Sequence, residues 1–180
     1  MPEHKIIFTG PVGAGKTTAI ATLSDIPIVR TDEMATDMTA RRKPNTTVAM
    51  DYGVMNLDGG GRVHLFGTPG QERFDFMWDI LTQGGLGLVL LLDNSRPKPF
   101  NDLLFFLNAF RKFVDRTRLV VGITFMDERP APGIPDYSDQ LRALGYSAPV
   151  FEVDARRRED VATLVEALLY CIDPGIVDHV

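Results

Sequence analysis

Residues 10–17 of this 180-residue chain read GPVGAGKT and match the phosphate-loop pattern G-x-x-x-x-G-K-[ST]. A strand-like apolar run precedes the loop and a helix-like segment follows it. Three glycines allow the backbone N–H groups to surround a phosphate, which the positive end of the helix dipole would also face. We expect Lys16 to reach the β- and γ-phosphates of a nucleotide and Thr17 to place its hydroxyl on Mg²⁺. The expected phosphate-binding set is Gly10, Val12, Gly13, Ala14, Gly15, Lys16, Thr17 and Thr18.

The elements that must position this loop alternate between short strands and helices. Apolar and β-branched runs predict strands at 5–9, 48–57, 62–67, 86–92, 118–124 and 149–153. Helical spacing predicts helices at 16–24, 76–83, 100–114, 136–144 and 158–171. A glycine-rich turn at 58–61 predicts a hairpin, and 30–46 reads as a long loop. The alternation indicates an α/β fold with a mostly parallel sheet between two layers of helices.

Composition excludes several classes of protein. The chain is 44% hydrophobic, which argues against disorder, and its length suits one domain, expected over 1–180. A net charge of −5 gives no reason to expect a nucleic-acid partner. A single cysteine, Cys171, excludes a disulfide scaffold and a cysteine-based zinc cluster. No apolar run, secretory signal or lipidation motif predicts a direct membrane anchor, so we expect a cytoplasmic protein.

Four segments together resemble the Ras-like small GTPases. They are GPVGAGKT, TTVAMDYG at 46–53, GTPGQERF at 67–74 and TFMD at 124–127. The combination is most similar to a prokaryotic group related to the gliding-motility and cell-polarity GTPases. The resemblance implies a P-loop NTPase fold, a three-layer αβα arrangement with a mostly parallel six-stranded sheet whose second strand is antiparallel. It also implies Mg²⁺, binding of GTP and GDP, hydrolysis of GTP, and switch loops near 30–47 and 67–78.

The resemblance assigns roles within these loops. Thr47, with Thr46 as the alternative, would bind Mg²⁺ and contact the γ-phosphate. Gly70 would donate its N–H to that phosphate, and Gln71 would orient the attacking water, acting with the lysine of the phosphate loop. Gly67 stands where Ras-like enzymes usually have an aspartate that supports Mg²⁺. The motility-type relatives also lack that aspartate, so the sequence leaves open how the metal is held.

The segment at 124–127 predicts the base-binding site. Asp127 keeps a carboxylate that can accept hydrogen bonds from guanine N1–H and N2–H₂, a pair that adenine does not offer. Phe125 replaces the lysine of the family motif and could stack on the base. Thr124 replaces the asparagine that braces the phosphate loop. Ala155 resembles the residue whose backbone N–H faces the guanine oxygen, so GTP is expected over ATP.

Regulation is predicted from neighbouring residues. The branched side chain of Val12 crowds the γ-phosphate, so we expect slow hydrolysis until a partner binds. Arg41 or Arg42 could supply a positive charge to the reaction, or both could be solvated loop residues. Asp93, which ends an apolar strand, is either a capping residue or a metal-supporting carboxylate.

Partners and rival functions complete the expectations. The resemblance implies a roadblock-type regulator, or another protein effector, at the switch regions. The apolar residues Phe74, Phe76, Met77 and Trp78 are the expected partner face. Five phenylalanines between 100 and 113 pack in the core or add to a partner surface. The alternatives are a nucleotide-binding module that does not hydrolyse, and a P-loop ATPase or phosphotransferase.

Overall fold

The computed structural model describes residues 3–30, 50–68 and 75–175, and at 75–77 it describes the backbone alone. The strands are β1 (Glu3–Thr9), β2 (Val29–Arg30), β3 (Asp51–Asn56), β4 (Arg62–Gly67), β5 (Gly87–Asp93), β6 (Leu119–Thr124) and β7 (Val150–Glu152). The helices are α1 (Lys16–Leu23), α2 (Asp75–Leu81), α3 (Pro99–Ala109), α4 (Arg111–Arg116), α5 (Ile134–Ala143) and α6 (Arg158–Ile172). Among the described residues, no helix has both the length and the apolar character to cross a membrane.

The strands form one sheet in the order β2-β3-β4-β1-β5-β6-β7. β1 lies parallel to both β4 and β5, and β6 and β7 continue the parallel arrangement. β3 pairs antiparallel with β4, and β2 pairs antiparallel with β3. The carboxyl ends of the parallel strands therefore share one edge of the sheet, which is where α/β proteins place their ligand sites.

Each face of the sheet carries its own apolar core because side chains alternate along a strand. Ile6 and Phe8 point to the face covered by α1 and α6, whereas Ile7 points to the face covered by the other helices. β5 is buried on both faces, which explains its nearly unbroken apolar sequence. The expected fold class, a Ras-like three-layer P-loop architecture with an antiparallel strand, is confirmed.

The predicted number of strands is wrong by one. β2 adds a seventh strand at the edge of the sheet, where the sequence predicts the start of a loop at residue 30. A strand of two residues is too short to show an alternating pattern, so periodicity could not reveal it.

Two predicted helices have different limits in the structure. The helix expected over 100–114 ends at Ala109, and a second begins at Arg111, because Phe110 leaves helical geometry at φ −101° and ψ 11°. The helix expected from 136 begins at Ile134. Pro135 is tolerated in its first turn, and the Gly133 N–H donates to Asp136 Oδ2 at 2.8 Å.

Candidate functional site

The loop at 10–15 leaves the carboxyl end of β1 and turns sharply into α1. Gly10 has φ 146°, and a Cβ at this position would lie 2.0 Å from the Leu91 carbonyl oxygen of β5. Only glycine fits such an approach between two backbones. Gly13 and Gly15 also have positive φ, at 83° and 103°. The backbone thus adopts the strand–turn–helix context that the phosphate-loop motif requires.

Lys16, the first residue of α1, folds back over this loop. Its Nζ donates to the carbonyl oxygens of Gly10 at 2.7 Å and Pro11 at 2.8 Å, and the residue is only 8% exposed. Burial lowers the pKa of Lys16 to about 8, against the opposing attraction of Asp51. A desolvated ammonium with only carbonyl partners interacts strongly with an incoming anion.

Thr17, the predicted metal ligand, has an unforeseen acidic neighbour. Its hydroxyl donates to Oδ2 of Asp51, a residue of β3 that is only 9% exposed. The other oxygen, Oδ1, accepts from Arg30 Nε at 3.3 Å. Asp51 was not predicted as a site residue, although it lies in the predicted hairpin. Antiparallel pairing places Asp51 opposite Gly67, the position where the resemblance would have put an acid.

The hydroxyl and carboxylate oxygens at this end of the loop are of the kind that Mg²⁺ prefers. The described part of the chain contains no group of three or more His, Cys, Asp or Glu residues suited to a metal. Mg²⁺ bound with a nucleotide needs only one or two protein ligands, because phosphates and waters complete its shell. Thr17, with Asp51 behind it, therefore fits that requirement.

The four residues predicted to bind a base meet the phosphate loop in one cavity of about 680 Å³. Its lining includes Thr124, Phe125, Asp127 and Ala155 together with Ala14, Gly15 and Thr18 of the loop and α1. Such a volume lies within the range of small-molecule sites, about 300–1,000 Å³. Residues that are distant in the sequence thus converge on one cavity beside the phosphate loop.

Thr124 connects the two halves of this cavity. Its buried hydroxyl lies 2.9 Å from the carbonyl oxygen of Ala14 and 3.2 Å from that of Leu92, and its proton can be donated to either. Thr124, which replaces the bracing asparagine of the family motif, thus contacts the phosphate loop itself. Phe125 follows with φ 59°, a strained conformation for a residue other than glycine, and the residue is 37% exposed.

Asp127 and Ala155 occupy the far side of the cavity. The carboxylate of Asp127 is exposed, and within the described residues it makes no hydrogen bond or ion pair. Ala155 is buried and packs against the loop, since a Cβ added to Gly15 would lie 3.0 Å from the Cβ of Ala155. Both positions are compatible with the base contacts expected of them.

An ion pair beside Ala155 was not predicted. Arg156 Nη2 lies 2.7 Å from Asp154 Oδ2, and the Arg156 N–H and Nε both donate to Asp154 Oδ1. These hydrogen bonds lower the pKa of Asp154 to about 2. The short turn that presents Ala155 to the cavity is therefore held by its two neighbours.

Several predicted residues lie outside the described part of the chain. These are Thr46, Thr47, Gly70, Gln71, Arg41, Arg42 and Phe74. The structure does describe the residues that lead into the two segments. Arg30 precedes the first, and Thr68, whose hydroxyl lies 2.7 Å from that of Thr9, precedes the second. The expected switch roles stay predictions.

Trp78 corrects the expected partner face. It is 2% exposed, and its ring stacks on Phe110 with centroids 4.9 Å apart. Trp78 is therefore a core residue, because the helix it lies on packs this face against α3 and the residues after it. Phe106, Phe110 and Phe113 are buried in the same cluster, with Phe100 and Phe105 packed against it, which supports the core interpretation of the phenylalanines.

Asp93 caps a turn. Its Oδ1 accepts from the Ser95 backbone N–H at 2.8 Å and from the Ser95 hydroxyl at 2.5 Å. The capping interpretation of Asp93 is confirmed. Val12, also on the phosphate loop, is exposed.

Similarity to known proteins covers most of the chain but is distant. The chain is 22% identical over 162 residues to the Ras-related protein RABE1e of Arabidopsis thaliana, a match over 87% of this chain and 69% of that protein. It is 26% identical over 123 residues to the Ras-related protein Rab-12 of Mus musculus, covering 66% and 46% respectively. The chain is thus a remote relative of the Ras and Rab small GTPases.

A further relative is an uncharacterized protein of Methanocaldococcus jannaschii. The two are 31% identical over 94 residues, which is 52% of this chain and 53% of that protein, so the chain spans about half of its length. A family model described as "conserved hypothetical ATP binding protein" matches residues 27–127, more than half of the chain. The chain belongs to this family of conserved hypothetical ATP binding proteins.

Proposed function

We propose that this protein binds GTP and GDP with Mg²⁺ and hydrolyses GTP to GDP and phosphate, in a single domain spanning 1–180. The observation that carries this proposal is the hydrogen bond from Thr124 to the Ala14 carbonyl oxygen, at 2.9 Å. It ties the segment that contains Asp127 to the phosphate loop. A phosphate site and a base site within one cavity are what a nucleotide requires.

The chemistry of Asp127 favours guanine. An exposed carboxylate accepts two hydrogen bonds but donates none at neutral pH. Guanine presents two adjacent donors, N1–H and N2–H₂, whereas the matching edge of adenine has an unprotonated N1 and a C–H. The Ala155 N–H makes no hydrogen bond within the described residues and is available to the guanine oxygen. Adenine would leave the carboxylate partly desolvated without a donor, which is costly.

The reaction is in-line attack of water on the γ-phosphorus. Lys16 would shift from the loop carbonyls to the β- and γ-phosphate oxygens, and its charge would stabilise the negative charge of the transition state. Thr17 and Thr47 would hold the metal, which neutralises phosphate charge when bound. Gln71 would orient the water, and Gly70 would donate its N–H to the γ-phosphate. The two switch loops, about 30–47 and 67–78, would respond to that phosphate.

Regulation belongs to the same proposal. Val12 is exposed on the phosphate loop, and we infer that its side chain slows hydrolysis until a partner binds. Replacement of Val12 with glycine would then raise the intrinsic rate. The similarity of the TTVAMDYG and GTPGQERF segments supports a place near the prokaryotic motility and polarity GTPases. A roadblock-type regulator, or another effector, at the switch regions follows from that similarity.

ATP is the second candidate. The description of the family names ATP, and Phe125 can stack on either purine. An ATPase or phosphotransferase would use the same loop, whereas a binding module would use it without hydrolysis. These functions differ from the proposal in base preference and in the need for Gln71.

The test is phosphate release under single-turnover conditions, with the protein in excess over GTP or ATP. We expect release from GTP only. Gln71→Ala should slow it at least tenfold, whereas Gln83→Ala, at an exposed glutamine after α2, should leave it unchanged. Faster release from ATP would overturn the proposed substrate. Equal rates for the wild type and Gln71→Ala would overturn the proposed role of Gln71.

A further inference from the structure

Two oxygens from different elements meet at the first turn of α1. The hydroxyl of Thr17 donates its only proton to Asp51 Oδ2. The lone pairs of that hydroxyl consequently remain free for a cation. A carboxylate that holds a ligand's proton in this way orients the ligand and increases its basicity. Asp51 therefore influences how a cation binds to the hydroxyl oxygen of Thr17.

The space around Gly67 shows why the carboxylate comes from β3. Asp51 and Gly67 are paired across the β3–β4 ladder. A Cβ on Gly67 would lie 3.3 Å from Asp51 Cβ, 3.5 Å from Asp51 Oδ2 and 2.9 Å from Ile20 Cδ1. A side chain at 67 would crowd the aspartate that is already there. One carboxylate fits at this point of the sheet, and this chain supplies it from position 51.

Among the described residues the negative charge of Asp51 is only weakly paired, so it is available to another cation. Arg30 Nε lies 3.3 Å from Oδ1, but Arg30 is largely exposed, so this contact is weak. Lys16 is the other cation nearby among the described residues, and its Nζ donates to the loop carbonyls. A buried carboxylate with only a weak cationic partner gains much from a divalent cation next to it.

We propose that Asp51 is the carboxylate that supports Mg²⁺ at the nucleotide site, as a positioning residue that acts through the hydroxyl of Thr17. The proposal rests on the nucleotide binding proposed above. It assigns to Asp51 the function that the resemblance expects of an acid at position 67. Neither Asp93, which caps Ser95, nor any other described carboxylate contacts Thr17.

The test measures metal affinity directly, with Mn²⁺ as the probe and electron paramagnetic resonance as the readout, in the complex with GDP. Asp51→Asn keeps the shape of the side chain but removes its charge. We expect Mn²⁺ affinity to fall about 10- to 100-fold, as for other residues that support a metal ligand. GDP affinity in EDTA should stay within about twofold of the wild type, because the base and loop contacts remain.

Three further variants distinguish this role from a structural one. Asp93→Asn should keep wild-type Mn²⁺ affinity. Arg30→Met removes the cationic partner of Asp51 and leaves the carboxylate in place. If this variant loses as much Mn²⁺ affinity as Asp51→Asn, Asp51 serves only to anchor β2. Asp51→Gly combined with Gly67→Asp moves the carboxylate across the ladder. This swap should recover most of the Mn²⁺ affinity if the site needs a carboxylate at this point.

The outcomes separate the two proposals. Unchanged Mn²⁺ affinity in Asp51→Asn would overturn the role of Asp51 while GDP binding by the wild type still stood. If the wild type did not bind GDP in EDTA or in Mg²⁺, the proposed function would fall first, and the role of Asp51 with it. Thermal unfolding of each variant confirms that a loss of affinity is not a loss of fold.

Discussion

Nucleotide binding at alkaline pH should be coupled to uptake of a proton by Lys16. In the free protein, burial lowers the pKa of this lysine to about 8, from an ordinary value of 10.5. Next to the phosphates of a bound nucleotide the charged form is favoured, and the pKa should return to 10.5 or higher. At a pH between these two pKa values, Lys16 is mostly deprotonated in the free protein and mostly protonated in the complex.

The size of the effect follows from the two pKa values. At pH 8.5 about a quarter of the free protein carries the Lys16 proton, whereas nearly all of the complex does, so binding takes up about 0.75 proton. At pH 6.5 both forms are protonated and uptake is close to zero. Between pH 8 and 10.5 the loss of the Lys16 proton should lower the affinity about 80-fold, or about 2.6 kcal/mol.

Isothermal titration calorimetry with GDP, in buffers that differ in ionisation enthalpy, measures this uptake. A pH of 8.5 lies below the range in which guanine itself loses its N1 proton. Lys5→Met is the matched control, because Lys5 lies near the opposite end of β1 and contacts the Gln83 carbonyl oxygen. We expect this variant to show the same uptake as the wild type.

The same pKa shift affects stability with a definite sign. Because the pKa of Lys16 is lower in the folded protein than in the unfolded chain, the buried charge of Lys16 destabilises the folded protein below pH 8. This loss is relieved as the pH rises from 8 towards 10.5.

Zero proton uptake at pH 8.5, with tight GDP binding, would refute the account of Lys16 as a desolvated cation that meets the phosphates.

Three further predictions concern the base side of the cavity. Asp127→Asn replaces an acceptor with a donor, so affinity for GDP should fall at least 100-fold and affinity for xanthosine diphosphate should rise, as measured by competition binding. Thr124→Val removes the hydrogen bond to the phosphate loop and should weaken GDP binding about tenfold. The control is Thr117→Val, which removes a similar hydroxyl-to-carbonyl hydrogen bond at the end of α4 and should leave GDP affinity unchanged. Arg156→Met should raise the pKa of Asp154 from about 2 towards its ordinary 3.8, as seen by NMR titration of the carboxyl group; a pKa that stays near 2 would mean that another group holds it down.

Local sequence was enough to predict the parts of the site that depend on local backbone. The phosphate loop combines glycines, a preceding strand and a following helix, and each of these is visible within about 20 residues. The contact of Thr124 with the loop spans 110 residues, and the resemblance only placed Thr124 where the family has a bracing asparagine. Alternating strands and helices also predicted the order of the layers, since parallel strands require crossovers.

Asp51 and β2 escaped prediction for a different reason. The contact of Asp51 with Thr17 depends on how β3 packs against α1, which no local pattern shows, and β2 has too few residues to show an alternating pattern. The break at Phe110 carries no glycine or proline signal, and the ring of Phe110 is buried against Trp78, a contact that no local pattern shows. Tertiary packing thus decided the features that the sequence analysis missed.

The most direct test of the whole account is equilibrium binding of GDP and ADP to the same protein in Mg²⁺, measured side by side by calorimetry. The carboxylate of Asp127 and the cavity it shares with the phosphate loop predict that GDP binds at least 100-fold more tightly than ADP. Equal affinities, or tighter binding of ADP, would contradict the guanine site. They would place the protein among the nucleotide-binding proteins that its family description names.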